Sequence, residues 1–529
     1  MGLTAIRTGR RVWALLDLDV QGRVLRFTDS PEPLSVSTEA GIEYTYVPGL
    51  LPVPFARAAG ALGSDEAVTI DAAVEVPWAR MVARGHSLER AAVTIRRWIE
   101  GQTLDAAETW VRGKAAGVGY GGVFEPLTLT VVRPSYGTGV WPPTPARIDA
   151  TTWPVTVSAT IITDAAAIGA VYPVIFGTPT DYIIPAYAVE YEAANRTLAW
   201  QLFADGWVEA TSCSLMEVAS GAVETRTIRK VRDLLGRRVS YVDNTGGTYT
   251  IEPNREHRVA LNLGTGGGTI GRGTTALAGA GEILEYLLRK TQVDVDWGRF
   301  AVVQQRLDAY KLDFVITKQI DVWAWIQNQI FPLLPMDWVF GAAGGYPDVW
   351  RLDATAEDAT RHIDATAETG RYERTSAVTM SGGPIFNAFS IAYGVGGAQG
   401  RPARMRSIGG DDDDPRNRPN AWCAASQALH GILPMPTFST ELVVRTDTAD
   451  RILLERARRY AISRRGFSIA GDETLDEVEV GEVILVSATD AEIDEEVAQV
   501  RNKRAVGDHV EITVLLMDDP LTRTRPVIP

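Results

Sequence analysis

Short runs of β-branched and aromatic residues, each closed by a turn signal, recur from Val12 to Val132. They are Val12–Leu18, Val24–Thr28, Ile42–Val47, Val68–Val76, Ala92–Trp98, Thr109–Arg112 and Leu127–Val132, several of them alternating. Alternation sends every second side chain to one face of a strand. Turns fall at Gln21-Gly22 and Gly63–Asp65, and Ser87–Ala91 reads as one helical turn. A chain written this way closes into a small barrel or sandwich. Residues 1–134 are therefore expected to form a first β-barrel.

Pro134, Pro142, Pro143, Pro145 and Pro154 cluster after it and read as a linker. A further β-rich unit is expected over 135–230, with strands at Tyr172–Gly177, Ile184–Val189 and Leu198–Phe203 and a turn at Asp205-Gly206. Val239–Val242 and Tyr249–Ile251 open a third part, 231–371, which continues through the Gly264–Gly273 loop.

That part ends in a block from Glu282 to Leu352 that reads helix, strand, helix, hairpin. Ile283, Leu284, Leu287 and Leu288 share one face of a helix over Glu282–Lys290. Lys311–Thr317 follows as a strand. Asp321 is placed to cap a helix running to Phe331, which Pro332 and Pro335 stop. Met336–Gly341 and Val349–Leu352 then read as a hairpin across a loop holding Gly344, Gly345 and Pro347. The last part, 372–529, is expected to hold the strand Phe386–Tyr393, a polar loop Gly394–Asn420, a helix Thr446–Arg464 and closing strands Val480–Val486 and His509–Leu515. The fold class is α+β, mainly β, in several domains.

At 529 residues the chain exceeds what one core organises. A net charge of −14 argues against a nucleic-acid-binding surface, which needs excess Lys and Arg. It also argues against docking on anionic lipid. The longest apolar run, Ala165–Gly177, has 13 residues and contains Pro173; a spanning helix needs about 20. It reads as buried strand, and no membrane insertion is expected. Arg7, Arg10 and Arg11 precede an apolar stretch too short for a signal-peptide core, so synthesis in a cytoplasm is expected.

Cys213 and Cys423 cannot build a disulfide framework or a four-cysteine metal site. The histidines are His86, His257, His362, His430 and His509, and no H-E-x-x-H occurs. Asp358 and His362 stand four apart, but the Thr-rich segment around them favours solvated strand over a metal-binding helix. Gly266–Gly271 matches G-x-G-x-x-G, yet the next helix begins some ten residues later, so its N-terminus cannot meet a pyrophosphate on that loop. Asp411–Asp414 could attract calcium, but adjacent carboxylates do not converge as loop ligands do, and Pro415, Arg416 and Arg418 favour a solvated loop. No G-x-S-x-G elbow is present. Catalytic, cofactor and metal residues are accordingly assigned to none. Trp-rich β domains keep a carbohydrate-active enzyme as the alternative, with two carboxylates roughly 5–10 Å apart as its requirement.

The order of parts resembles the central hub proteins at the tail tip or baseplate of long-tailed bacteriophages and related gene-transfer particles. Glu282–Leu352 carries the likeness most clearly, followed by Phe386–Tyr393, the Thr446–Arg464 helix and the closing strands Val480–Val486 and Glu511–Leu515. Ala170–Gly177, Ile184–Tyr187 and Ala204–Trp207 are similar to an additional β domain of some members. The resemblance implies a homotrimer in which each subunit supplies two related β-barrels, giving a pseudo-sixfold ring. The second barrel would be assembled from pieces after Val231, including 372–395 and the C-terminus. It further implies a structural, non-catalytic virion protein that adapts a hexameric tail tube to a trimeric tip. Its partners would be the distal tail or tail-tube protein, the tape-measure protein and tip fibre or spike proteins. DNA would pass through the ring without specific binding, and an acidic lumen would repel its phosphates.

Overall fold

The computed structural model describes residues 11–51, 55–58, 68–72, 88, 90–120, 127–132, 140–142, 147–155, 161–192, 197–208, 210–243, 256–261, 271–272, 275–341, 344–366, 372–380, 384–396, 401–410, 414–471, 475, 477–506 and 509–517. The first eight-stranded sheet runs, edge to edge, Leu34–Ser37, Glu43–Pro48, Arg23–Thr28, Val12–Val20, Ala92–Ile99, Glu108–Tyr120, Leu127–Val132 and Val68–Ala72. Alternation decides its two faces. Ala14, Leu16, Leu18 and Val20 enter the main core beside Val93 and Ile95, while Leu15 faces Val36, Tyr46 and Trp98. Asp17 opposes Arg26 on the neighbouring strand and takes a hydrogen bond from the Tyr46 hydroxyl at 2.9 Å. At Leu88–Ala91 the expected helical turn is a single reverse turn, closed by the Ala91 N–H on the Leu88 carbonyl, with Arg90 at φ 64°.

The C-terminal sheet runs His362–Asp364, Val483–Ala488, Ile493–Val506, His509–Leu516, Arg465–Gly471 and Tyr372–Arg374, with Thr379–Met380 also pairing Arg465–Gly471. Phe55–Ala58, from the N-terminal part, joins it by pairing Asn502 with Ala58 through Ala505 with Phe55. The two sheets face one another across one apolar core. Leu16, Leu18 and Ile95 meet Phe467, Ile484, Val486, Ile512 and Val514 there. Lys503, fully buried, brings its ammonium to 5.8 Å from the Trp110 ring centre across the same junction. The C-terminal sheet thus draws on discontinuous pieces, one of them at residues 55–58. Phe389–Gly396 is not part of it; this strand pairs with Arg401–Ile408 and Phe438–Thr440 in a separate four-stranded sheet.

The middle sheet has seven strands: Ile161–Ile162, Ile184–Glu192, Thr197–Asp205, Arg238–Asp243, Val223–Arg232, Ser212–Glu217 and His257–Leu261, with His257–Leu261 also pairing Ile184–Glu192. Pairing of the last strand with both a neighbour and the second strand gives the sheet a barrel-like closure. It passes residue 230, where a boundary was expected. Asp233 makes that segment a hairpin turn, its carboxylate accepting from the Leu235 and Arg237 N–H groups at 3.0 and 2.9 Å. The Pro-rich stretch is not a free linker either. Trp141 and Trp153 are buried in two different cores, and Val140–Trp141 pairs with Ile320–Asp321.

Trp153 donates to the Tyr172 hydroxyl at 2.9 Å, and that hydroxyl donates to Asp233 at 3.1 Å. Tyr172→Phe removes the relay's centre and strands a buried indole N–H. A loss of about 1–3 kcal/mol is expected, read from chemical denaturation midpoints. An unchanged midpoint would mean the relay does not hold the stretch down.

The block at the centre follows its expected order, with one addition. Helix α1 (Ala280–Leu288) buries Ile283, Leu284, Leu287 and Leu288. Helix α2 (Trp297–Leu307) was not expected; only Phe300 and Leu307 of it are buried, so its apolar period is faint. Its start was legible in Asp296, which accepts from the Arg299 N–H at 3.1 Å. Phe314–Ile316 is a strand and pairs with Val174–Phe176 of the middle unit. Helix α3 (Val322–Trp325) is capped by Asp321, accepting from the Ala324 N–H at 3.1 Å, and continues as a π turn and a short 3-10 turn to Leu333. The hairpin is Met336–Gly341 with Gly344–Val349, so Gly344, Gly345 and Pro347 belong to its second strand rather than its loop. Gly345 opposes Phe340 and would place a Cβ 2.4 Å from the Trp338 indole nitrogen; only a glycine lets the strand lie under that ring.

Two elements occupy ground that reads as loop. Arg401–Ile408 is a strand within the expected polar loop Gly394–Asn420. Helix α4 (Ala421–His430) follows, capped by Asn420 and ended by Gly431 at φ 72°. Helix α5 (Thr446–Tyr460) starts where expected and ends four residues before Arg464, burying Ala449, Ile452, Leu453 and Ala457 against the central core. No helix among the described residues is long and apolar enough to cross a membrane.

Candidate assembly site

Several of the residues with reactive side chains serve the fold. Cys213 and Cys423 are free and buried, and burial pushes both thiols up to about 12, far from a nucleophilic thiolate. The His362 ring nitrogen Nε2 lies 2.9 Å from the Ser487 hydroxyl, which also accepts from the Glu495 N–H. This ties the paired strands His362–Asp364 and Val483–Ala488 together. Asp358 does not join His362; it closes a capping box on Thr355 and pairs with Arg351. Its backbone bond from Thr355, then Arg351, hold its carboxyl below the usual range. No group of three or more metal-ligating side chains occurs among the described residues. Asp411–Asp413 and the Gly264–Ile270 run lie outside the described residues. Asp414 pairs with Arg416 at 2.7 Å, which lowers its carboxyl to about 2.

The densest polar constellation is a joint between the hairpin and the C-terminal sheet. Asp337 and Asp348 come from the two hairpin strands, at positions directly opposed. Arg501, on Ile493–Val506, pairs with both, reaching Asp348 at 2.7 Å. Gln499, two residues away on the same strand, is fully buried. Its amide nitrogen donates to Asp348 at 2.9 Å and the Val349 carbonyl at 3.0 Å, and its oxygen accepts from the Arg351 N–H at 3.3 Å. Period-two spacing puts Gln499 and Arg501 on one face of their strand. Asp348 sits so deep that burial pushes its carboxyl up to about 7, against the pull of Arg501. Arg459 of α5 stands over the Trp350 ring at 5.0 Å beside the same group.

A second joint locks the middle unit to the block. Asp313 is fully buried and accepts from the Thr178 N–H at 2.6 Å and from Arg445 at 2.8 and 3.2 Å. Next to it Phe176 stacks on Phe314 at 4.7 Å. These contacts tie the middle unit to the block, as Arg501 ties the hairpin to the C-terminal sheet.

Several apolar side chains remain outside every core. Leu429, Ile432 and Leu433, at and after the end of α4, are 67, 68 and 37 % exposed. Leu234 and Leu235, in the turn after Val223–Arg232, and Val302 on α2 are exposed as well. Trp207 is exposed too, and Arg238 covers its ring at 4.5 Å.

No family model matches the chain, and no curated protein matches it. Solved structures do match. One is the tail protein from Neisseria meningitidis MC58, 8 % identical, covering 95 % of this chain and 96 % of that one, with a TM-score of 0.35. The structural neighbours are tail and virion proteins. The virion of a native gene transfer agent particle matches at 15 % identity over 50 % of this chain and 84 % of that one, with a TM-score of 0.17. The p2 virion baseplate in its activated conformation matches at 8 % identity over 96 % and 99 %, with a TM-score of 0.23. Superpositions this loose transfer no function to the chain.

Proposed function

We propose that this chain is a structural protein of a phage-type tail tip or baseplate, working as a homotrimeric hub. The observation that supports it best is the pair of eight-stranded sheets closed over one core and welded by the Phe55–Ala58 strand. That construction provides two β units held in fixed relation in every subunit, which is what a trimer needs to present six similar positions. The central block, in the order the resemblance requires, is tied to the C-terminal sheet through Arg501 and to the middle unit through Asp313, which takes Arg445 and the Thr178 N–H. Charge supports a conduit for DNA, since a chain at −14 repels phosphates. The distal tail or tail-tube protein, the tape-measure protein and tip fibre or spike proteins are the proposed partners, and the virion the proposed location. The chain is proposed to act without catalysis; the two opposed carboxylates of the hairpin joint, Asp337 and Asp348, are both engaged by Arg501.

The purified chain is expected to run at three times its 57.5 kDa mass in light scattering, and to give threefold rings with an open centre in negative stain. A compact monomer at high concentration would overturn the hub reading.

A further inference from the structure

A cavity of about 480 Å³ opens between the C-terminal end of α5 and the C-terminal sheet. Arg459, Arg464 and Arg501 reach it, together with the hydroxyls of Ser376, Ser468 and Thr513. Two of the guanidinium groups have work elsewhere. Arg464 donates to the Met517 carbonyl at 3.1 Å and Arg501 is held by Asp337 and Asp348. Arg459 is different: it stacks over Trp350 but makes no hydrogen bond or ion pair with any described residue. Its side chain is half-buried; burial, followed by the nearness of Arg501, lowers its proton affinity, while Asp337 and Asp348 nearby act the other way. A guanidinium has five N–H donors, so Arg459 has donors to offer a ligand that enters the cavity. The wall is donor-rich on one side and apolar on the other, where Phe467 and Leu515 stand.

We propose that this cavity is an oxyanion-binding site, in which Arg459 supplies a forked pair of N–H donors and the hydroxyl groups complete the shell. The ligand class is a compact group with anionic oxygens, because only such a group takes a planar guanidinium in bidentate fashion. Inorganic phosphate and a carboxylate of a neighbouring copy of the chain share this chemistry. The site does not depend on the hub reading.

The test is the thermal midpoint of the full chain in phosphate against chloride, at equal ionic strength and pH, over a range of protein concentrations. If phosphate half-fills the site at about 1 mM, 10 mM raises the apparent folding constant roughly tenfold. In Arg459→Gln that rise is expected to disappear, while any general salting effect of phosphate persists. A gain that shrinks as chains associate assigns the site to a neighbour's carboxylate; a constant gain assigns it to the free ion. An equal gain in wild type and Arg459→Gln overturns the proposal, and so does no phosphate-specific gain in wild type. Should Arg459→Gln fail to fold, calorimetric titration of wild type with phosphate replaces it, and absence of saturable heat is then decisive against the site.

Discussion

Gly177→Ala is expected to lose about 2–5 kcal/mol, summing a left-handed backbone cost of about 1–2 kcal/mol and overpacking of about 1–3 kcal/mol. Gly177 ends the strand Val174–Phe176 at φ 67°. A Cβ there would stand 2.3 Å from the Asp313 carboxylate and 2.4 Å from the Leu312 carbonyl oxygen. The second contact is with backbone, so a rotamer change cannot relieve it. The paired strands would have to part, loosening the Thr178 and Arg445 bonds to a carboxylate that has no access to water. Gly169→Ala is the control. It has a similar φ of 87° but nothing within 4 Å of the added carbon, so only the backbone cost of about 1–2 kcal/mol should appear. Urea midpoints of the two variants decide it: equal losses would mean the close approach at Gly177 is absent.

Arg501→Met should lose stability increasingly above pH 7, toward about 3–5 kcal/mol where Asp348 would be ionised, because it leaves that buried carboxylate without its cation. The loss should shrink in acid, and the sign follows from Asp348. Its folded-state carboxyl is raised to about 7 from an ordinary 3.8, with burial as the main cause. Between those values the folded chain holds a proton that the unfolded chain has released, so this group's contribution to stability falls as pH rises from about 4 to 7. Without Arg501 the carboxyl rises further, since the largest lowering influence is gone. The variant's deficit is therefore greatest above pH 7 and smallest below pH 5, where Asp348 is protonated in both proteins. Asp29, raised to about 6 by burial, slopes the same way but cancels in the difference between the two chains. Denaturation midpoints measured from pH 4.5 to 8 provide the comparison. A deficit independent of pH would mean that packing, not the charge on Asp348, holds the hairpin to the sheet.

Both variants act on contacts between parts that stand far apart in the chain, and these contacts were the least legible in the sequence. Asp313 and Arg445 look like ordinary surface charges until the fold brings them together, and the same is true of Asp348 with Arg501. Strands in the first part were readable because their faces differ. Ala14, Leu16 and Leu18 on one side against Asp17 on the other leave one register for Val12–Val20. Helix α1 was readable for the same reason at period 3.6. Helix α2 was missed because it is mostly solvent-covered, and Arg401–Ile408 because four polar or charged residues among eight hide its alternation. Helix α4 announced itself only through Asn420 and Gly431, signals of its ends rather than of its face.

Local rules thus determined which segments become strand or helix wherever one face is apolar and the other wet, and they determined the mainly β class and the order of parts. Tertiary structure alone decided that residues 55–58 complete a sheet built from residues beyond 361, that the two large sheets share a core, and that three arginines meet in one cavity. The physical reason is that backbone pairing and charge pairing carry no signature in the segment itself. A strand edge accepts any extended partner, and a carboxylate gains its strong dependence on one arginine only after the fold has taken the water away.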